Sequence, residues 1–221
     1  MKSRSVSKTV HVVNVDNYFP EMCELTLPLL RGYAKKIGAQ FNLITERKYP
    51  EFPPTYEKLQ IYEQGADSDW NILIDADVVV GPDAPDVTTL PQASPAVVLA
   101  AASFPADGFF QADPYFLRDG RKIGLSGYFL VTHKMCHDLW TPLEFGYDVA
   151  RHMTKRQHIV DEYCLSRNLA KFGLKMNGIG NFEHFVHIGT NADGVYGLPD
   201  DDPVEEKIER TKRTIDLLWT S

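Results

Sequence analysis

Apolar and polar positions recur along this chain in an order that predicts strands and helices by turns. Thr9 to Asn17 (TVHVVNVDN) is a β-rich run ending in Asp16-Asn17, a first strand with a polar mouth. Residues 20–38 place Leu29, Tyr33 and Ile37 at helical spacing before a Gly38 stop. Pro28 lies inside that helix and is expected to kink or split it. Residues 39–45 (AQFNLIT) form a short second strand. Residues 53–67 (PPTYEKLQIYEQGAD) predict a second helix, capped by Thr55, with Leu59 and Tyr62 on its apolar stripe. A third strand, Trp70 to Ile74, is apolar throughout and runs straight into Asp75-Ala76-Asp77.

The second half is less regular. Pro95 to Phe104 reads as another buried strand, and residues 105–124 as a long aromatic, turn-rich binding loop. Leu125 to His133 reads as a strand entered through Ser126-Gly127. His158 to Gly173 predicts a helix with Leu165, Leu169 and Phe172 inward, followed by a short strand, LKMNG. The tail predicts a C-terminal amphipathic helix with Asp202 as cap, Pro203 first and Glu205 completing a capping box. Its Val204, Ile208, Ile215 and Trp219 stripe is expected to pack.

Strands alternating with helices predict an α/β fold, a mostly parallel central sheet flanked by helices. Ligands of such sheets bind beyond the carboxyl ends of the strands, where Asp16 and Asp75 both fall. With 221 residues the chain is expected to be a single domain. Its 30 acidic against 23 basic residues give a net charge of −7, which argues against a nucleic-acid partner. Cys23, Cys136 and Cys164 are odd in number and widely spaced, so neither a zinc knuckle nor a disulfide framework is expected. No run is long and apolar enough for a transmembrane segment, and a cytoplasmic location is the expectation.

Two carboxylates one residue apart, at the frayed end of a strand, can converge on one hard cation such as Mg²⁺ or Mn²⁺. The same pair also serves as an ordinary turn. The surrounding order of motifs favours the cation. Lys58 stands on the helix before Asp-Ala-Asp, GLSGYFLVTH follows it, then IVDEYCLSRNLAK, then HFVHIGT. Over residues 10–190 this set resembles GT-A-fold glycosyltransferases, most nearly the glycogenin and lipopolysaccharide-galactosyltransferase type.

That resemblance implies a nucleotide-binding half at about residues 9–102 and an acceptor and donor-sugar half at about 103–221. It implies a metal-dependent transferase moving a sugar from a nucleotide sugar, a UDP-sugar first, to a glycan or other hydroxyl acceptor. Asp75, Asp77 and His187 would be the metal ligands, with His184 a lesser competitor. Asp16, Lys58, Asp75, Ser126 and Gly127 would bind the donor. Asp161 and Glu162 would be the acceptor-side carboxylates, with Asp113 a third choice. Each residue also has a plainer use: Asp16 as a strand terminator, Lys58 on a solvated face, Asp161 and Glu162 as acids opening a helix. Phe109, Phe110, Tyr115 and Phe116 would stack on a sugar or form a hydrophobic plug.

The chain departs from the family's His-x-x-Gly-x-x-Lys, having HIGTNADG with no lysine. Lys58, Arg118, Arg121 or Lys122 would compensate, or metal and backbone amides would suffice. ILIDADVVV also fits a haloacid-dehalogenase-type phosphatase with Asp75 as nucleophile, Thr132 as second motif and Asp200 to Asp202 as acidic motif. Its first motif normally opens the domain, whereas two strand–helix units precede it here. A non-catalytic nucleotide-sugar-binding domain is the third alternative.

Overall fold

The computed structural model describes residues 6–105, 110, 113–119, 123–154, 159–180, 183–188 and 203–220. Its strands are β1 (Lys8–Val13), β2 (Gln40–Ile44), β3 (Trp70–Ile74), β4 (Val78–Val80), β5 (Val97–Ala100), β6 (Ser103–Pro105), β7 (Ile123–Leu125), β8 (Phe129–His133), β9 (Lys175–Gly178) and β10 (Phe185–His187). Its α-helices are α1 (Pro20–Lys36), α2 (Ile61–Gln64), α3 (Pro114–Asp119), α4 (Tyr147–Ala150), α5 (Val160–Lys171) and α6 (Val204–Thr220).

Among the described residues the main sheet runs β2-β1-β3-β8-β5-β9. All of its strands point one way except β8, which is antiparallel to both neighbours. The chain leaves β1 toward β2 on one side and returns to β3 on the other, so the order reverses between β1 and β3. That reversal is where an open α/β sheet leaves a crevice at its carboxyl edge. Two small sheets flank the main one, β4 with β10 and β6 with β7.

Alternation along β3 divides the core. Ile72 and Ile74 pack with Leu30 and Tyr33 of α1, while Leu73 faces Leu59, Trp140 and Leu165 of α5. Every one of these side chains is buried, and each contributes about 1.5–3 kcal/mol relative to exposure. α6 adds a smaller cluster in which Ile208, Ile215 and Leu218 meet Met22, Val79 and Ile188.

Several expectations need correction. β1 ends at Val13, and Asp16 and Asn17 lie beyond it in left-handed conformation, with φ of 56° and 57°. α1 continues through Pro28 unsplit: Pro28 and Glu24 are both exposed, so the carbonyl that loses its partner faces water. The second helix is a 3₁₀ segment, Pro54–Gln60, followed by one turn of α2. Thr55 does not cap it, and Tyr62 is exposed, stacking on His137.

The strand expected over Pro95 to Phe104 breaks into β5 and β6, which belong to different sheets. Leu125 to His133 breaks likewise at Ser126–Tyr128. Phe172, Val204 and Trp219 are at least a third exposed rather than inward, although the Trp219 indole N–H reaches the Val80 carbonyl at 3.2 Å. The expected cap Asp202 and His158 lie outside the described residues.

A buried polar group joins β1 to β3. His11 Nε2 lies 2.9 Å from Asn71 Oδ1, and Asn42 Nδ2 lies 3.0 Å from His11 Nδ1. Asn71 in turn donates to the Gly65 carbonyl at 3.0 Å; a Cβ on residue 65 would run into the Asn71 side chain, hence the glycine. Burial lowers the His11 pKa to about 4 from 6.5, against the raising effect of Asn71. Between those values the unfolded chain binds a proton that the folded chain refuses. Stability should therefore fall as pH drops through that window, by at most about 1.4 kcal/mol per pH unit from this group. Urea unfolding in small pH steps checks this, and His11→Gln should lose that share of the slope whatever its baseline stability.

Candidate active site

The turn Asp75-Ala76-Asp77 joins β3 to β4 at the carboxyl edge of the sheet, and its main chain is held at every step. The Asp75 N–H donates to the Tyr128 carbonyl at 2.8 Å, and the Val78 N–H to the Asp75 carbonyl at 3.1 Å. The buried Thr26 hydroxyl of α1 lies 2.6 Å from the Ala76 carbonyl. The Ile188 N–H reaches the Asp77 carbonyl at 2.9 Å. Such a turn presents its two carboxylates in one arrangement.

Pairing of β10 with β4 brings in the imidazole. The antiparallel register sets His187 opposite Val78, one residue past Asp77. His187 Nε2 then lies 3.3 Å from Asp77 Oδ1. One ligand atom from each of Asp75, Asp77 and His187 falls within 4.8 Å of the other two. Ligands at adjacent positions of an octahedral ion with bonds of about 2.1 Å stand about 3 Å apart, close to the 3.3 Å between His187 and Asp77. Two carboxylate oxygens and one imidazole nitrogen suit Mn²⁺, and Mg²⁺ less readily because of the nitrogen. His184, by contrast, turns toward Glu183 at 3.8 Å and stands outside this group.

Lys58 is buried, with its ammonium 3.0 Å from Asp75 Oδ2 and 3.2 Å from Asp161 Oδ2. Burial works against its charge, yet Asp75 and then Asp161 outweigh this and raise its pKa. The solvated-face reading of Lys58 is therefore wrong: the lysine joins the third strand to α5. Burial raises the Asp75 pKa and the Asp77 charge adds to it, more than Lys58 opposes. Burial opposes ionisation of Asp77 too, but His187 and Lys58 hold its pKa down, and Asp77 in turn raises that of His187 despite burial. The Lys58 ammonium is shared between Asp75 and Asp161, while His187 faces Asp77. A divalent cation held by Asp75, Asp77 and His187 would add positive charge here.

Glu162, one residue past Asp161 on α5, takes the Ser126 hydroxyl and the Gly127 N–H, each at 3.0 Å and both on Oε1. Burial, then the neighbouring Asp161 charge, pushes its pKa up to about 7. α5 packs closely on Gly127: a Cβ there would come 3.3 Å from Asp161 Oδ2, a tight fit, and 3.5 Å from the Glu162 side chain. Asp16 stands at the rim in an ion pair with Arg47, whose Nε also meets buried Glu57 at 2.9 Å.

Other candidates belong elsewhere. Asp113 accepts from the Tyr163 hydroxyl at 2.7 Å and from Arg167 Nε at 3.2 Å, so it locks the loop to α5 and does not join the carboxylates named above. Phe110 and Phe116 are buried with Phe104 and Tyr163, which makes them a plug, and Arg167 lies over Tyr115 at 4.6 Å. Thr132, the second residue of the phosphatase reading, is buried and accepts the Trp140 indole N–H at 3.0 Å, outside the Asp75, Asp77 and His187 group. Phe109, Arg121, Lys122, Gly189, Asp200 to Asp202 and the Arg118 side chain lie outside the described residues.

The structure also adds residues that sequence reading passed over. Tyr18 places its hydroxyl 3.4 Å from Asp77 Oδ2, and Thr26 and Tyr128 hold the acidic turn. A polar Thr26 on the buried face of α1, among Met22, Cys23 and Leu30, was the available signal.

No protein-family model and no curated protein matches the sequence. Solved structures share its fold. A glycosyltransferase involved in the glycosylation of the major capsid of PBCV-1 aligns over 94% of this chain and 99% of its own, at 13% identity and a TM-score of 0.55. The galactosyltransferase LgtC, solved with donor and acceptor sugar analogs, aligns over 95% and 96%, at 12% identity and a TM-score of 0.53. A mutant Drosophila beta-1,4-galactosyltransferase 7, in complex with manganese, UDP-Gal and xylobiose, aligns over 91% and 79%, at 14% identity and a TM-score of 0.46. The chain has the GT-A fold: a mostly parallel sheet flanked by helices, with α6 at its end. At these identities the likeness is one of fold.

Mn²⁺ at a hundredfold excess over its Kd should stabilise the protein by about 2.7 kcal/mol. Differential scanning calorimetry should show the gain in the wild type and none in Asp77→Asn or His187→Ala. Thr26→Val, which leaves the Ala76 carbonyl unsatisfied, should cost about 1–3 kcal/mol in chemical unfolding of the metal-free protein.

Proposed function

We propose that this chain is a metal-dependent glycosyltransferase, moving a sugar from a nucleoside-diphosphate sugar to a hydroxyl acceptor. One observation carries the reading: Asp75 and Asp77 meet His187, distant in sequence, at the sheet's carboxyl edge beside Lys58 and two acids of α5. The GT-A fold, which the chain shares with the capsid glycosyltransferase and LgtC, supports it. The motif resemblance points to a UDP-sugar as donor and a glycan or small hydroxyl compound as acceptor. The first half of the chain would hold the nucleotide and the second the donor sugar and acceptor, although β8 and β9 of the second half complete the same sheet.

Cleaving a sugar–phosphate bond leaves positive charge on the anomeric carbon and negative charge on the departing diphosphate. A divalent cation, when bound, stabilises the diphosphate as a Lewis acid. Asp75, Asp77 and His187 hold it, and the clamped turn keeps their spacing. Asp16 at the rim meets the ribose or base. Lys58 keeps Asp75 and Asp161 in register rather than neutralising phosphate, because both of its close contacts are carboxylates.

We assign the acceptor-side role to Glu162 and leave Asp161 as the anchor of Lys58, since Asp161 is only 2% exposed while Glu162 is partly open. Among the described residues both hydrogen bonds to Glu162 converge on Oε1, which leaves Oε2 for substrate. Whether it takes the hydroxyl proton or faces the sugar's developing charge, the ionised form works. Ser126 and Gly127 fix that carboxylate and form the wall against which the donor sugar rests.

The test is a panel of nucleotide sugars with Mn²⁺, followed by nucleotide release, with p-nitrophenyl phosphate in parallel. One donor should bind or turn over only with metal, and Asp77→Asn should abolish this. Phosphatase turnover lost in Asp75→Asn would overturn the assignment, and donor binding with no turnover on any acceptor would leave a sensor. With the donor found, kcat/KM should fall about tenfold per pH unit below about 7, as Glu162 gains its proton. That acid limb should be absent from the residual activity of Glu162→Gln.

A further inference from the structure

We propose that Tyr128 is a positioning residue for the cation site, its ring setting the plane of the His187 imidazole and its main chain holding Asp75. The inference rests on the metal-site reading above and adds to it a residue outside the ligand set. The Tyr128 and His187 rings stack almost parallel, with centroids 4.4 Å apart and planes at 9°. The Tyr128 carbonyl is the acceptor, at 2.8 Å, for the Asp75 N–H. One residue thus touches two of the three ligands, by different groups.

The ring contact matters because of how an imidazole binds a cation. The lone pair of Nε2 lies in the ring plane, so the plane must contain the ion. β10 sets where the His187 main chain runs, but rotation about Cβ–Cγ is a soft torsion with a broad well. A flat phenol against one face blocks that rotation, since turning would drive the imidazole edge into the Tyr128 ring. Nε2 is thereby kept toward Asp77, 3.3 Å away. Groups that orient a metal ligand without touching the metal change affinity by about 10–100-fold when lost.

Tyr128 also ends the turn whose first residues, Ser126 and Gly127, hold Glu162. Three consecutive residues therefore set two metal ligands and the acceptor-side carboxylate. A shift of this turn moves all of them at once.

Substitution at residue 128 keeps the carbonyl and removes only the ring, which isolates the ring's part. Mn²⁺ affinity would be measured by EPR titration of the full chain in wild type, Tyr128→Phe, Tyr128→Leu and Tyr128→Met. Electron spin-echo modulation would report the nitrogen coupling of the bound imidazole, and His187→Ala would mark its absence. Leu and Met should each weaken Mn²⁺ binding by about tenfold or more and diminish the nitrogen coupling, while Phe stays within about twofold of wild type. Melting of the metal-free proteins should not follow the same order.

Wild-type affinity and coupling in either Leu or Met would overturn the proposal, as would Phe being as damaging as Leu. Failure of both Leu and Met to fold would make the ring a core element and overturn it too. A wild type that binds no Mn²⁺ would remove the metal reading itself, whereas a binding wild type with an unaltered Leu variant removes this inference alone.

Discussion

Charge around Lys58 is the constraint to which the site is built. Asp75 and Asp161 contact its ammonium, and the charges of Asp77 and Glu162 fall within its field. Lys58 divides its charge between two carboxylates, and burial, with the Asp77 charge added, keeps the Asp75 pKa raised in spite of it. The group is stable as folded because surrounding structure, rather than attraction among its members, dictates their separation. Main-chain clamps hold the acidic turn, and α5 presents Asp161 and Glu162 from a rigid helix.

Every element near the site contributes through a different route. β3 delivers the acidic turn at the reversal of strand order, where an open edge exists for topological reasons. α1 sends Thr26 up from the core, and β10 pairs with β4 in the one register that puts His187 beside Asp77. A slip of one residue in that pairing would turn the imidazole to the opposite face. The little β4–β10 ladder is short, so α6 reinforces it from behind: Leu218 and Ile215 pack on Val79 and Val186, and Arg210 reaches the Ile188 carbonyl at 3.1 Å. In this way the last helix, remote in sequence, steadies the strand that carries His187.

Much of this was legible in the residues. Alternation and helical spacing located β1, β2, β3, α1, α5 and α6, because each carries apolar residues at the period of its own structure. Asp75, Asp77 and His187 could be named together through the order of motifs around Asp-Ala-Asp and the family it resembles, since Asp-x-Asp alone serves equally as a turn. The failures share one cause, which is that local pattern says little where tertiary partners decide. Pro95 to Phe104 is evenly apolar, yet its second part leaves to pair with β7, and only that partner explains the break. Phe110 and Phe116 look the same in sequence whether they meet a sugar or Tyr163. Asp113 looked like a free acid because nothing near it in the chain announces Arg167. Lys58 was harder, since its burial depends on α5 folding over it from a hundred residues away.

The way the site is clamped bears on how such a fold persists at 12% to 13% identity over nearly its whole length. Most of the bonds that shape the acidic turn come from backbone groups: the Tyr128 carbonyl, the Val78 N–H and the Ile188 N–H. Backbone donors and acceptors survive almost any substitution that preserves the fold, so the turn places few demands on sequence. Side chains add what backbone cannot: the Thr26 hydroxyl on the Ala76 carbonyl, and the two carboxylates and the imidazole whose facing atoms lie within 4.8 Å of one another. A chain of this kind can share little sequence with its structural neighbours and still form the same sheet, with the acidic turn clamped at its edge by main-chain groups.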